Sequence, residues 1–181
     1  MRALRLALAK TKAKVMAAAM AGLLVVACAS QPQHAATSAL TDVEAHMDHP
    51  YVFHLVQAGL WDAAVASGET YYPPTYEVDG FTHGTANPAK LLAVANHFYP
   101  EVKGDWYCLR MTVDSLAATG VETVFEGTAP VGDKQPDFEG SEDELFPHIM
   151  GGISPAAVLE AHAVARGADG TYLSIDGVVD L

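Results

Sequence analysis

The chain has 181 residues, with 22 Asp and Glu against 10 Lys and Arg, for a net charge of −12. An acidic excess of this size argues against nucleic acid as a partner, because that binding depends on Lys and Arg neutralising phosphates. It argues equally against electrostatic attachment to an anionic membrane surface.

Taken in chain order, the first segment stands apart. Arg2, Arg5, Lys10, Lys12 and Lys14 form a basic stretch, and Val15 to Ala27 is an uncharged apolar run. The run is short for a membrane span and suits the core of a signal peptide. It ends in Val25-Val26-Ala27-Cys28, which resembles the lipobox of bacterial lipoproteins, with Val25 in place of the usual leucine. The resemblance implies a signal peptide over residues 1–27 and acylation of Cys28. Several acyl chains would hold the protein to the lipid bilayer stably, where one would not. Ala29 is not the aspartate associated with inner-membrane retention, so an outer-membrane location with the domain on the periplasmic or outer face is favoured. Loss of residues 1–27 removes five basic residues and no acidic one, leaving five Lys and Arg against 22 acids and a net charge of −17. Cys108 is then the one cysteine without a lipid role, and its setting, DWYCLRMTV, is that of a buried strand thiol.

Residues 28–49 are small and polar and read as a tether. His34, His46 and His49 lie there, and two ligands such as His46 and His49 on a mobile segment make a weak metal site. Residues 50–181 are long enough for one domain with a sizeable core. Tyr51 to Val56 is a strand apolar on both faces, and Ala58 to Ala66 a helix with Leu60, Ala63 and Ala64 toward the core, ended by Gly68. Tyr71-Tyr72-Pro73-Pro74 leads into a loop, and Asp79-Gly80 is a turn before Phe81-Thr82-His83. Asn87 and Pro88 open a helix whose Leu91, Leu92, Ala95 and Phe98 repeat at three- and four-residue steps, and Pro100 ends it. His97 near its end reads as a capping residue, where the helix dipole favours an imidazolium, ahead of a catalytic role. Trp106 to Val113 and Val121 to Phe125 are strands, followed by an acidic Gly/Pro-rich loop, Gly127 to Glu144, of lid-like length. Phe146 to Ile149, Val158 to Ala165 and Thr171 to Ile175 are extended, the last two joined by a turn at 167–170. The fold class is α+β: one domain of short strands around a split or curved sheet with two main helices.

Three histidines sit in unlike but equally ordered settings: His54 in the apolar run YVFHLV, His83 in the glycine-flanked DGFTHGT and His148 in LFPHIMGG. A packed imidazole needs a hydrogen-bonding partner, so three of them suggest a shared cleft. Gly84 after His83 allows close approach of a ligand or another backbone, and Thr85 adds a hydroxyl.

The segments FHLV (53–56), the Trp61 helix, DGFTHGTANPAKLLAVANHFYPEVKGDWYCL (79–109), FEGTAPVGD (125–133) and LFPHI (145–149) resemble the bacterial family catalogued as domain of unknown function 952. The likeness runs from about Tyr51 to beyond Val158. It departs after the last histidine, where Met150-Gly151-Gly152 stands in place of a common Tyr-Gly-Pro run. The resemblance implies a fold similar to ADP-ribosyltransferases and a pocket for NAD or a related small nucleotide. On that likeness His54 matches a ribose contact, and His83 with Gly84 and Thr85 a nicotinamide contact. His148 or Glu126 would position or polarise the reacting group, and the helix start at Asn87 would meet phosphate. Such transfer needs preorganised dipoles more than a strong base. Two considerations oppose it: only Lys90, Lys103, Arg110, Lys134 and Arg166 are present to meet a pyrophosphate, and an envelope location offers little free NAD. The alternatives are a non-catalytic binding or structural module, or a zinc site of His54, His83 and His148, although these lack local ligand spacing.

Overall fold

The structure is a computed structural model and describes residues 49–142 and 144–179. The expected signal peptide, Cys28 and nearly all of the expected tether, with His34 and His46, lie outside the described residues. Strand β1 (Val52–Gln57) runs directly into helix α1 (Ala58–Ser67). A short helix α2 (Tyr76–Asp79), strand β2 (Thr82–His83), a 3-10 turn (Pro88–Lys90) and helix α3 (Leu91–Phe98) follow. Then come β3 (Trp106–Met111), α4 (Val113–Ala117), β4 (Thr123–Glu126), β5 (Phe146–Ile149), β6 (Glu160–Arg166) and β7 (Tyr172–Ile175). The strands form two antiparallel sheets, one of order β1-β3-β6-β7 and one of order β2-β5-β4.

The two-sided apolar pattern of β1 has a direct structural meaning. Val52 and Val56 enter one core cluster with Trp61, Leu109, Met111, Ile149 and Ile153. Phe53 and Leu55 enter another with Leu91, Trp106, Cys108, Tyr172 and Ile175. Strand residues alternate between faces, so one strand serves both layers only if both are covered. Cys108 is fully buried, and its thiol is pushed up to about 12 by desolvation, which makes it inert packing.

Some sequence expectations are corrected. Helix α1 buries Ala58, Trp61 and Ala64, while Leu60 and Ala63 face outward. Trp61, the largest apolar side chain of the helix, takes the core position and sets the phase. Gly68 ends α1 as expected, in the left-handed conformation (φ 73°) with its N–H on Ala64 O. The strand expected to reach Val113 stops at Met111. Thr112 and Ser115 there form a reciprocal capping box, at 2.9 and 3.0 Å, that starts α4. Helix α2 is a single turn with no buried residue and escaped the periodicity reading.

The two sheets are joined at their edges. Phe53 N donates to Thr85 O (2.8 Å) and Thr85 N returns a bond to Phe53 O (2.9 Å). Gly84 N donates to Pro147 O at 2.8 Å, which keeps the chain after β2 tight against β5. A Cβ on Gly84 would stand 2.8 Å from Pro147 O, 2.9 Å from Pro147 Cγ and 3.2 Å from Val52 Cγ1. Backbone and ring atoms there cannot swing aside. Gly84→Ala is therefore expected to lower stability by about 1–3 kcal/mol through overpacking. The check is equilibrium unfolding beside Gly127→Ala, whose added Cβ meets nothing within 4 Å. Equal midpoints for the two variants would contradict the close-approach account.

Candidate active site

His54, on the same face of β1 as Val52 and Val56, is buried. Its Nδ1 lies 2.7 Å from the carbonyl oxygen of His83. A carbonyl only accepts, so Nδ1 carries the proton and Nε2 is a lone-pair acceptor. His83 and His148 are directly opposite each other in the β2–β5 pairing, with ring centroids 6.1 Å apart. Each is held by a carboxylate: His83 Nε2 donates to Asp79 Oδ2 at 3.0 Å, and His148 Nδ1 to Glu126 Oε2 at 3.0 Å. Phe81 stacks on His148 at 4.1 Å and tilts against His83 at 4.5 Å, fixing both rings from one side.

All three histidines line one cleft, with Gly84, Thr85, Phe53 and Phe146. Helix α3 adds Val94 and Phe98, followed by Tyr99, and the 127–144 loop contributes Thr128, Ala129, Val131 and Phe138. The space between these walls, out to solvent, is about 450 Å³, but only about 30 Å³ of it takes the centre of a water molecule. With its walls as they stand it is a slit with room for a few waters.

Not every expected residue reaches it. Asn87 is absent from the lining: its Oδ1 caps Ala89 N at 3.0 Å, and its Nδ2 donates to Glu144 at 3.3 Å. The helix meets the cleft through its later turns, not its N-terminus, so no helix-end phosphate contact is formed inside. Glu126 stands behind His148, with 61% of its side chain exposed, and touches the cleft only through that ring. No Lys or Arg among the described residues lines the cleft. Among the described residues no group of three His, Cys, Asp or Glu is placed to hold a metal ion.

The structure adds Asp79, Phe81, Phe138 and Tyr99. Asp79 was legible only as part of an Asp-Gly turn. Its side chain, 4% exposed, accepts from His83 and also from Gly132 N at 3.0 Å. The available signal was its position four residues before His83, within reach across the turn that Gly80 makes in the left-handed conformation (φ 80°).

Burial dominates the electrostatics. Desolvation pushes His54 down to about 4, against the raising effect of the His83 carbonyl bond. His83 is lowered by desolvation even though Asp79 works in the opposite direction, and His148 likewise in spite of Glu126. At neutral pH the site thus holds uncharged imidazoles. His54 Nε2 and His148 Nε2 are buried and have no hydrogen-bond partner among the described residues. The sign for stability follows from the lowered values. Above about pH 6.5 both folded and unfolded imidazoles are neutral and nothing is lost. As the pH falls below 6.5 the unfolded chain takes up protons that the folded chain refuses. Stability should therefore drop between pH 6.5 and about 4, by on the order of 3 kcal/mol from His54 alone. Thermal unfolding of wild type and His54→Gln over pH 7 to 4 checks this, and an equally steep loss in both would remove His54 as its source.

A family model described as "Protein of unknown function (DUF952)" matches residues 55–161. Among solved structures, the crystal structure of protein CC0527 from Caulobacter crescentus is 18% identical, with a TM-score of 0.51 over 68% of this chain and 93% of that one. The solution structure of the same protein is 20% identical, with a TM-score of 0.43 over 67% of this chain and 90% of that one. No curated protein matches. At such identities the crystal structure supports the shared fold and nothing beyond it. The family match spans more than half of the sequence and includes β3 and the strands that carry His83 and His148, and so the chain belongs to the family of proteins of unknown function designated DUF952.

Proposed function

We propose that the histidine cleft binds the ribosyl end of a small nucleotide of the NAD or ADP-ribose type. One observation carries this reading: two cleft-lining imidazoles, His54 and His148, each keep a buried Nε2 lone pair with no donor among the described residues. A buried acceptor left unpaired costs about 1–3 kcal/mol, which a ligand hydroxyl or carboxamide N–H would offset. Ribose hydroxyls and a nicotinamide amide both supply such donors. The pyrophosphate would stay outside, since among the described residues no cationic side chain lines the cleft. If bond cleavage follows binding, the carboxylate-held His83 and His148 are the groups placed to move a proton.

The test is thermal unfolding with ADP-ribose and with NAD. A ligand bound only by the folded state at 100 times its Kd adds about 2.7 kcal/mol. Wild type is expected to gain melting temperature, and His54→Ala and His148→Ala to lose the gain. No shift in wild type with either ligand sinks the reading.

A second reading, a non-catalytic structural module, is favoured by the narrowness of the slit and by the bond from His54 to the His83 carbonyl, which helps join the two sheets. On that reading His54→Ala loses about 1–3 kcal/mol and no ligand restores it.

For location, we propose that the chain is acylated at Cys28 and held at the bacterial envelope, on the strength of the basic, apolar and small-residue order of residues 1–28. Cys28→Ser is expected to leave the membrane fraction or to accumulate unprocessed. A mature-size variant that still sediments with membranes refutes the anchor.

A further inference from the structure

We infer that residues 127–142 form a lid that closes the histidine cleft and lifts as a unit, with Asp79 as the latch shared between the lid and His83. The movement stands on the fold alone, while its purpose, ligand access, rests on the cleft being a binding site.

Three observations carry this. First, the segment covers the cleft from outside: Thr128, Ala129, Val131 and Phe138 all line it. With these side chains in place the slit takes only a few waters, so any ligand larger than that requires them to move.

Second, the segment is attached in an unusual way. Among the described residues, its own backbone-to-backbone bonds are internal: Val131 and Lys134 pair with each other at 3.1 and 3.0 Å, and Ser141 N donates to Phe138 O at 3.0 Å. It joins neither sheet. Side chains of the body grip its backbone at three points instead. The Asp79 carboxylate accepts from Gly132 N at 3.0 and 3.3 Å, His97 Nε2 donates to Gln135 O at 2.8 Å, and Lys90 Nζ donates to Gly140 O at 3.0 Å. Glu144, just past the segment, lies 3.9 Å from Lys90 and accepts from Asn87. A few side-chain grips on an otherwise self-contained loop can be released without breaking a strand ladder, which places the segment at the low-stability end of the structure.

Third, the contacts under the lid are apolar and separable. Phe138 packs on Phe98 at 6.1 Å, Phe146 at 5.9 Å and His97 at 5.6 Å, with no polar bond from its ring. Gly127, at the start of the segment, has nothing within 4 Å of where its Cβ would be and is free to turn. At the far end Gly140 has a φ of 79°, and a side chain there would collide with Lys90 Nζ. Because Asp79 also accepts from His83 Nε2, opening the lid changes the surroundings of a cleft imidazole directly.

Amide hydrogen exchange on the whole purified chain tests this, comparing wild type with Lys90→Met, which keeps the aliphatic stem, and Asp79→Asn. Amides of 128–142 are expected to exchange roughly 10-fold faster or more in each variant, with those of β1, β3 and β5 unchanged. Acceleration spread equally over the strands, or none in the segment in either variant, overturns the lid. ADP-ribose association by stopped flow separates the two proposals. Faster association with Lys90→Met supports access through the lid. No ADP-ribose binding by any variant removes the nucleotide reading and leaves the exchange result to decide the lid.

Discussion

The reciprocal pair between Phe53 and Thr85 joins the edge strands of two sheets, and the bond from His54 Nδ1 to the His83 carbonyl lies beside it. The site depends on this seam in three ways. It brings β1 and β2 together, so side chains 29 residues apart in sequence share a wall. It uses the Nδ1 proton of His54 for structure, which fixes the tautomer and leaves Nε2 as an acceptor. It also demands a residue without a Cβ at 84, because β5 approaches there from the opposite side. Fold and site therefore use the same bonds. A substitution at the seam is read as a stability change and as a site change at once.

Two carboxylate–imidazole pairs face one another across β2 and β5, yet they are unlike. Asp79 is buried and shared with Gly132, while Glu126 is largely open to solvent. An opposite charge within hydrogen-bonding distance normally favours the imidazolium, but burial opposes it and prevails at both positions. The carboxylates thus act mainly as orienting acceptors. What the cleft presents is a set of oriented, uncharged rings framed by Phe81, Phe98, Phe138 and Phe146. Such a surface suits donors on a neutral group and has no counter-charge for an anion.

Much of this was legible in the sequence, for identifiable reasons. The covered strand at 52–57, the Gly68 stop and the Asn87-Pro88 start are local signals that tertiary packing reinforces. The three histidines could be singled out because each lies within an ordered stretch rich in aromatic or β-branched residues. Their shared cleft depends on pairings between β1, β2 and β5 that no local pattern contains. Asp79 was hidden because Asp-Gly already has a sufficient reading as a turn. Asn87 was placed in the site because a helix N-terminus is a generic anion binder, but Glu144, remote in sequence, occupies its amide. The outward turn of Leu60 was missed because periodicity gives spacing without phase, and Trp61 supplies the phase.

Arg166 donates to the carbonyls of Pro100, Val102, Gly104 and Gly170 and lies over the Tyr172 ring at 4.3 Å. Arg110 is bound to Glu160, and Lys90 to Gly140. Three of the five cations that follow residue 27 are thus committed to internal contacts, against 22 acidic residues. Internal contacts do not cancel their charge, but the acids outnumber all five cations, so the net charge stays strongly negative. Among the described residues no Lys or Arg lines the cleft to give a positive focus. An anionic molecule would be slowed in its encounter and helped by added salt, while a neutral or cationic one would meet no such barrier. The excess of acids thus reaches beyond the surface it covers, into the kinetics of whatever approaches it.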